Sequence, residues 1–68
     1  MQEHQLRVIN EKEELDSKLG KLRSFFESEH FGNVPNDEKN RLKNQAYYMR
    51  QYSEVLGQRI EAFKNQEK

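Results

Sequence analysis

Apolar residues recur at a helical period in two long segments of the chain. The first segment steps by seven, four, three and four residues, and its apolar positions are Val8, Leu15, Leu19, Leu22 and Phe26. The second steps by three or four residues, and its positions are Leu42, Ala46, Met49, Tyr52, Leu56, Ile60 and Phe63. This spacing places apolar side chains on one face of a helix, as in a coiled coil, whereas a strand needs strict alternation. The pattern therefore predicts two amphipathic helices and no strand.

A single break, "EHFGNVPND" at residues 29–37, separates the two segments. Gly32 suits the left-handed position just past a helix end, and Asn36 before two acidic residues suits a helix start. Because the break is short, the two helices are expected to fold back as an antiparallel hairpin. The predicted bounds are 3–30 for the first helix, 31–36 for the loop and 37–65 for the second helix, within one domain of residues 1–68.

The small size of the chain favours self-association. It has 68 residues, of which 32% are apolar, and no cysteine to form a disulfide or bind a metal as thiolate. A chain of this size buries only about 60% of its unfolded surface, so oligomerisation is the remaining means of stabilisation. We therefore predict an all-α fold, an antiparallel two-helix hairpin that assembles into a homo-oligomeric helical bundle. Three aromatic residues outside the two apolar stripes are candidates for the subunit interface: Phe25, Phe31 and Tyr47.

The charge balance argues against a coat of nucleic acid. The chain has 12 basic and 12 acidic residues, with a net charge of −2 over residues 1–31 and +2 over residues 32–68. A protein that binds duplex nucleic acid is normally basic overall, so this partner is not expected. No apolar stretch approaches the roughly 20 residues of a membrane span, and the first residues lack the apolar region of a signal peptide. We expect a cytoplasmic protein that does not enter a membrane.

The apolar stripe of the first helix fails at Lys12, where the period predicts an apolar residue. A buried lysine without a partner is costly, so three interpretations stay open. Lys12 runs along the seam with its ammonium in water, it pairs with Glu11 of another subunit, or it holds an anionic ligand. The hairpin would bring this part of the first helix near Tyr52 and Arg59.

The tyrosines of the second helix have two interpretations as well. Tyr48 and Tyr52 lie four residues apart and fit one helix face. A tyrosine in an apolar stripe can pack in the core with its hydroxyl at the rim, or its ring can stack on a nucleotide base beside a guanidinium that grips phosphate. In the second case the candidate ligand-binding residues are Arg7, Glu11, Lys12, Tyr48, Tyr52 and Arg59.

No residue pattern indicates catalysis. The acidic run "EKEELD" at residues 11–16 lacks the glycine turn of a calcium loop and fits a solvated helix face, on which Glu14 and Lys18 are spaced for an ion pair. His4 and His30 lie far apart without a ligand-spaced partner. The chain shows no nucleophile–base pair and no glycine loop for phosphate. We expect neither enzyme activity nor a metal or cofactor.

Two segments of the chain resemble a family of small phage-encoded proteins known as crAss-phage-related proteins. The segments are "QLRVINEKEELDSKLGKLRSFFES" at residues 5–28 and "MRQYSEVLGQRIEAF" at residues 49–63. The matching positions are Arg7-Val8, Glu11-Lys12, Glu14-Leu15-Asp16 and Lys18, then Tyr52-Ser53, Leu56, Arg59-Ile60 and Phe63. The resemblance implies a phage protein that acts in the cytoplasm of an infected bacterial host.

The predicted architecture is similar to that of the phage sponge proteins directed against CBASS and Thoeris defence. Those small helical hairpins form symmetric oligomers and hold cyclic nucleotides or cyclic ADP-ribose-type signals between subunits. The likeness implies a non-enzymatic anti-defence protein that sequesters an anionic cyclic nucleotide at a subunit interface. The alternative is a helical adaptor or inhibitor that binds a host or phage protein through Phe25, Phe31 and Tyr47, since aromatic residues are common binding anchors.

Overall fold

Two long α-helices account for most of the computed structural model, which describes residues 2–66. Helix α1 spans Glu3–Phe26 and helix α2 spans Asn36–Gln66, with a short 3₁₀ turn at Glu29–Asn33 between them. The described residues contain no strand, which confirms the all-helical prediction. They form a rod with principal extents of 51 × 15 × 14 Å. Neither helix within residues 2–66 combines the length and apolarity required to cross a membrane.

The helices pack side by side in opposite directions. Near the open end, the rings of His4 and Phe63 meet edge to face with centroids 6.1 Å apart. Farther along, Lys12 Nζ donates to Ser53 Oγ at 2.7 Å. An early residue of α1 therefore faces a late residue of α2, as in an antiparallel hairpin. Its assembly into a homo-oligomer stays a prediction.

The core is a narrow seam between the helices. Val8 and Leu19 of α1 are buried, and Leu56 of α2 is the one side chain among the described residues that is fully buried. The remaining positions of the two predicted stripes, Tyr52 excepted, are half-buried: Leu15, Leu22, Phe26, Leu42, Ala46, Met49, Ile60 and Phe63. Gln5 extends the seam towards the open end, and its side-chain oxygen accepts the Gln2 N–H at 3.2 Å.

The predicted stripe is wrong at Tyr52. Ser53 occupies the seam with 5% exposure, while Tyr52 lies beside the seam with 44% exposure. Neighbouring residues of a helix point about 100° apart, so placing one of them in the seam turns the other out of it. The step from Met49 to Ser53 to Leu56 keeps the alternation of four and three residues that a coiled-coil seam requires.

Helix α1 ends earlier than predicted, at Phe26 instead of residue 30. The N–H groups of Glu27 and Ser28 close the last turn on carbonyls three residues back, at 3.2 and 3.0 Å. The Ser28 hydroxyl also donates to the Phe25 carbonyl at 2.7 Å. Gly32 does not adopt the left-handed conformation predicted for it, because the chain leaves α1 through right-handed backbone at Glu27. Helix α2 begins and ends within one residue of its predicted bounds.

Phe31 closes the loop end of the hairpin. Its ring lies 5.1 Å from that of Phe26 and 5.9 Å from that of Phe25, measured between centroids. The ammonium groups of Lys39 and Lys43 lie over the same ring, 5.3 and 6.0 Å from its centroid, in cation–π geometry. Phe25 and Phe31 are therefore half-buried against their own chain, and their place in a subunit interface stays a prediction.

Leu56→Ala should destabilise the hairpin strongly. Truncating a fully buried leucine costs about 2–5 kcal/mol, which is most of the stability of a domain this small. The matched control is Leu6→Ala, because Leu6 is 47% exposed and should cost about 0.5 kcal/mol or less. Thermal unfolding followed by circular dichroism, at one fixed protein concentration, measures both. Equal losses for the two variants would contradict the seam described here.

Candidate functional site

A polar layer crosses the seam midway between Val8 and Leu19. Lys12 Nζ donates to Ser53 Oγ at 2.7 Å and to Asp16 Oδ2 at 3.0 Å, and the Ser53 hydroxyl donates to the other carboxylate oxygen of Asp16. The Lys12 side chain follows the seam, as the first interpretation expected, but its ammonium ends on Asp16 and Ser53 of its own chain. None of the buried side-chain polar atoms of the described residues lacks a hydrogen-bond partner.

The layer favours the charged form of Asp16. The hydrogen bond from Ser53 and then that from Lys12 hold the pKa of the Asp16 carboxyl below its ordinary value of 3.8, against an opposing effect of burial. Because the folded pKa is depressed, the layer stabilises the fold above the unfolded pKa. That contribution is lost as the pH falls through the folded pKa.

Asp16→Asn should make the free energy of unfolding less dependent on pH in the acid range. The wild-type chain loses the Asp16 contribution as the pH falls from about 4 to below the folded pKa, whereas the asparagine variant has nothing to titrate at this position. The carboxylate is 47% exposed, so the expected difference is modest, about 0.5 kcal/mol at neutral pH. Urea unfolding at a series of pH values between 2 and 7 measures it. Parallel profiles for the two proteins would show that Asp16 is not coupled to folding.

Beside this layer, Tyr52 and Glu11 join the helices on one flank of the seam. The Tyr52 hydroxyl donates to Glu11 Oε1. This hydrogen bond joins α2 to α1 and fixes the half-exposed tyrosine ring beside the seam. The hydrogen bond to Glu11, then burial and the charge of Glu11, raise the pKa of Tyr52 above its ordinary value of 10.0. The nearby Arg59 guanidinium acts in the opposite direction on the same pKa. The flank thus places a ring, a carboxylate and a guanidinium together.

Glu11→Gln should lower the pKa of Tyr52. The substitution removes the charged acceptor that favours the protonated hydroxyl, while Arg59 continues to favour the phenolate. In an absorbance titration of the tyrosines at alkaline pH, the transition at the highest pH belongs to Tyr52 and should move to lower pH in this variant. Tyr52→Phe identifies that transition, because it removes the transition without changing Glu11. An alkaline profile that is unchanged by Glu11→Gln would contradict the assigned contact.

The other predicted site residues are more loosely placed. Arg7 pairs with Glu3 at 3.1 Å, and both side chains are largely exposed, so the pair adds little stability. Tyr48 is 67% exposed, and its ring meets that of Tyr47 edge to face at 5.3 Å. The structure therefore joins Glu11 and Tyr52 by a hydrogen bond, while Arg59 lies two helical turns after Tyr52 on the same flank of α2. Lys12 lies next to them in the seam, already neutralised by a carboxylate.

The cations of the described residues fall into two groups. Those with a carboxylate within 4.0 Å are Arg7, Lys12, Arg41, Arg50 and Lys64. Those without one inside residues 2–66 are Lys18, Lys21, Arg23, Lys39, Lys43 and Arg59. The ion pair expected between Glu14 and Lys18 is not formed. Arg59, on the same flank as Tyr52, is thus a cation with no carboxylate partner of its own in this part of the chain.

A groove between the helices, with a volume of about 390 Å³, is not predicted by the sequence pattern. Its lining residues come from both helices: Lys18, Lys21 and Leu22 of α1, and Gln45 and Met49 of α2. Gln45 is seven residues before Tyr52, so the groove opens on the same flank as the tyrosine. Lys18 and Lys21 are visible in the sequence as two closely spaced cations. They line a groove only because Gln45 and Met49 of α2 pack opposite them. Residues 2–66 contain no group of three or more side chains that could hold a metal ion.

These features define a small helical hairpin with a tyrosine, an arginine and two groove lysines on one flank. The model of the family described as Sequestin matches residues 2–62, and the chain belongs to that family. The family name indicates sequestration of a partner molecule and a binding role, without specifying the partner. Comparisons with curated proteins and with solved structures find no match. The resemblance to crAss-phage-related proteins stays a prediction.

Proposed function

We propose that this protein is a phage-encoded, non-enzymatic anti-defence protein that sequesters an anionic cyclic nucleotide signal in the cytoplasm of the infected bacterium. One observation supports this most: Glu11 fixes the Tyr52 ring on the flank that also carries Arg59, two helical turns farther along α2, and Arg59 has no carboxylate partner among the described residues. Membership of the Sequestin family supports the sequestering role. The ligand class includes cyclic dinucleotides, cyclic trinucleotides and cyclic ADP-ribose, which share phosphates and a base.

The proposed mechanism uses recognition alone and breaks no bond. The Tyr52 ring stacks on a base, and the planar guanidinium of Arg59 grips a phosphate with two parallel hydrogen bonds. Glu11 holds the ring in place before the ligand arrives, which lowers the ordering cost of binding. The same carboxylate can accept a hydrogen bond from a base amine or a ribose hydroxyl. Lys12 acts indirectly, because it sets the seam from which Glu11 and Tyr52 project.

Self-association completes the proposal. Among the residues that the structure describes, the seam buries three apolar side chains, whereas Tyr48, Tyr52 and Val55 are 67%, 44% and 48% exposed. These three lie four and then three residues apart, so they form a second stripe along α2. A second copy packed on that stripe would cover apolar surface that one hairpin cannot bury, and it would bring two tyrosine flanks together. The ligand would then lie between subunits.

Arg59→Ala should weaken nucleotide binding at least ten-fold while the oligomer survives, because it removes the proposed hydrogen bond to the phosphate, and the exposed Arg59 makes no seam contact. Native mass spectrometry with a panel of cyclic di- and trinucleotides and cyclic ADP-ribose isomers gives subunit count and bound mass together. The control is Arg50→Ala, because Arg50 lies nine residues away on the opposite side of α2 and pairs with Glu54 at 3.7 Å. Wild-type affinity in the Arg59 variant would refute the assigned site.

A second function is favoured by the exposed ring of Tyr47, which is 59% accessible and packs only edge to face on Tyr48. In this alternative the hairpin is an adaptor or inhibitor that binds a host or phage protein. Phe25 and Phe31 are engaged with each other at the loop end, so Tyr47 is the remaining anchor. An oligomer that binds none of the nucleotide panel would favour this alternative.

A further inference from the structure

The groove at Lys18 and Gln45 has the size and the lining of a ligand site. Its volume of about 390 Å³ falls within the range of roughly 300–1,000 Å³ that is usual for small-molecule sites. Leu22 and Met49, both half-buried, give it an apolar floor, while Lys18 and Lys21 give it a positive rim. A second depression of about 670 Å³ on α2 includes Glu54 and Glu61 in its lining, which makes it unsuitable for an anion.

The two lysines of the groove favour an anion between them. Neither has a carboxylate within 4.0 Å among residues 2–66, in contrast to Lys12, whose ammonium lies 3.0 Å from Asp16. Lys18 and Lys21 are three residues apart on one helix, where like charges destabilise each other. A phosphate bound by both ammonium groups relieves that repulsion and accepts hydrogen bonds from each.

The side chain of Gln45 has a donor to spare for a base. Its amide nitrogen approaches the Met49 sulfur at 3.8 Å, and a thioether is a weak acceptor. An amide carries both donor and acceptor atoms, so Gln45 can bind the edge of a base that rests on Leu22 and Met49. The groove therefore offers contacts for each part of a nucleotide.

The groove lies on the same side of the hairpin as Tyr52. Lys18 lies seven residues after Glu11 on α1, and Gln45 lies seven residues before Tyr52 on α2. Seven residues correspond to two helical turns, or about 10 Å at 1.5 Å per residue. The flank therefore has two levels along the rod, about 10 Å apart: one at Glu11 and Tyr52, and one at Lys18 and Gln45.

We infer that the groove lined by Lys18, Lys21, Leu22, Gln45 and Met49 is a second subsite of the sequestered nucleotide, in which the lysines bind a phosphate and the apolar floor supports a base. This inference rests on the proposed function and extends it from one level of the flank to two. A ligand with two nucleotide units, or with a base and a pyrophosphate, can occupy both levels. A single nucleoside monophosphate can fill only one.

The inference is tested by the methyl resonance of Met49, which reports on the groove floor. The chain has two methionines, so ¹³C-methyl labelling gives a simple spectrum that Met49→Leu assigns. Cyclic di-AMP, cyclic di-GMP, cyclic tri-AMP and cyclic ADP-ribose are titrated separately into the full chain. We expect at least one of them to shift the Met49 methyl at the concentration at which native mass spectrometry detects its binding.

The matched variants are two double substitutions that remove equal charge. Lys18→Gln with Lys21→Gln should raise the dissociation constant of that nucleotide at least ten-fold, because both phosphate ligands are lost. Arg23→Gln with Arg50→Gln changes exposed side chains away from the groove lining and should alter it less than two-fold. Far-ultraviolet circular dichroism checks that each variant keeps its helices.

The outcomes separate this inference from the proposed function. A nucleotide that binds and depends on Arg59, yet leaves the Met49 methyl and the lysine variant unaffected, overturns the groove subsite and leaves the Tyr52 site standing. Absence of binding for every nucleotide overturns both. Equal weakening by the two double variants also overturns the subsite, because it would show general attraction to positive charge.

Discussion

The contact of Lys12 with Asp16 and Ser53 is the interaction on which the rest of this hairpin depends. A lysine in a helical seam is tolerated only when its charge is paired and hydrogen-bonded, and Asp16 and Ser53 supply both partners. Placing Ser53 in the seam turns Tyr52 onto the flank, since successive residues lie about 100° apart. Glu11, next to Lys12 on α1, reaches the same flank and accepts the Tyr52 hydroxyl. The packing register and the geometry of the candidate site are therefore set together.

Most of the fold can be predicted from the spacing of apolar residues along the chain. The predictions fail where a contact with a residue distant in sequence determines which side chain is buried or where a helix ends. Apolar residues at steps of three and four predict both helices. Between Met49 and Leu56, however, either Tyr52 or Ser53 fits that period as the residue that lies in the seam. Hydrophobicity favours tyrosine, whereas Lys12 on the other helix requires the hydroxyl. The predicted end of α1 is likewise wrong, because Phe31 packs back onto Phe26 instead of continuing the helix.

The candidate site likewise has residues that the sequence predicts and residues that only the packing of the helices reveals. Tyr52 and Arg59 could be selected from the sequence because both side chains belong to residue types that recognise bases and phosphates. The groove could not, since Lys18 and Lys21 resemble ordinary solvated lysines until Gln45 and Met49, from the other helix, form its opposite wall. A flank that takes residues from both helices suits a binding protein, as it presents rigid groups along the length of the rod.

The proposed function places a nucleotide on the flank that carries Tyr52 and Arg59. The most direct measurement is a crystal structure of the protein with the tightest-binding nucleotide of the cyclic nucleotide and cyclic ADP-ribose panel. We expect electron density for a base against the Tyr52 ring and for a phosphate within hydrogen-bond distance of the Arg59 guanidinium. Density for the nucleotide on another face, with Tyr52 and Arg59 in contact only with solvent, would contradict it.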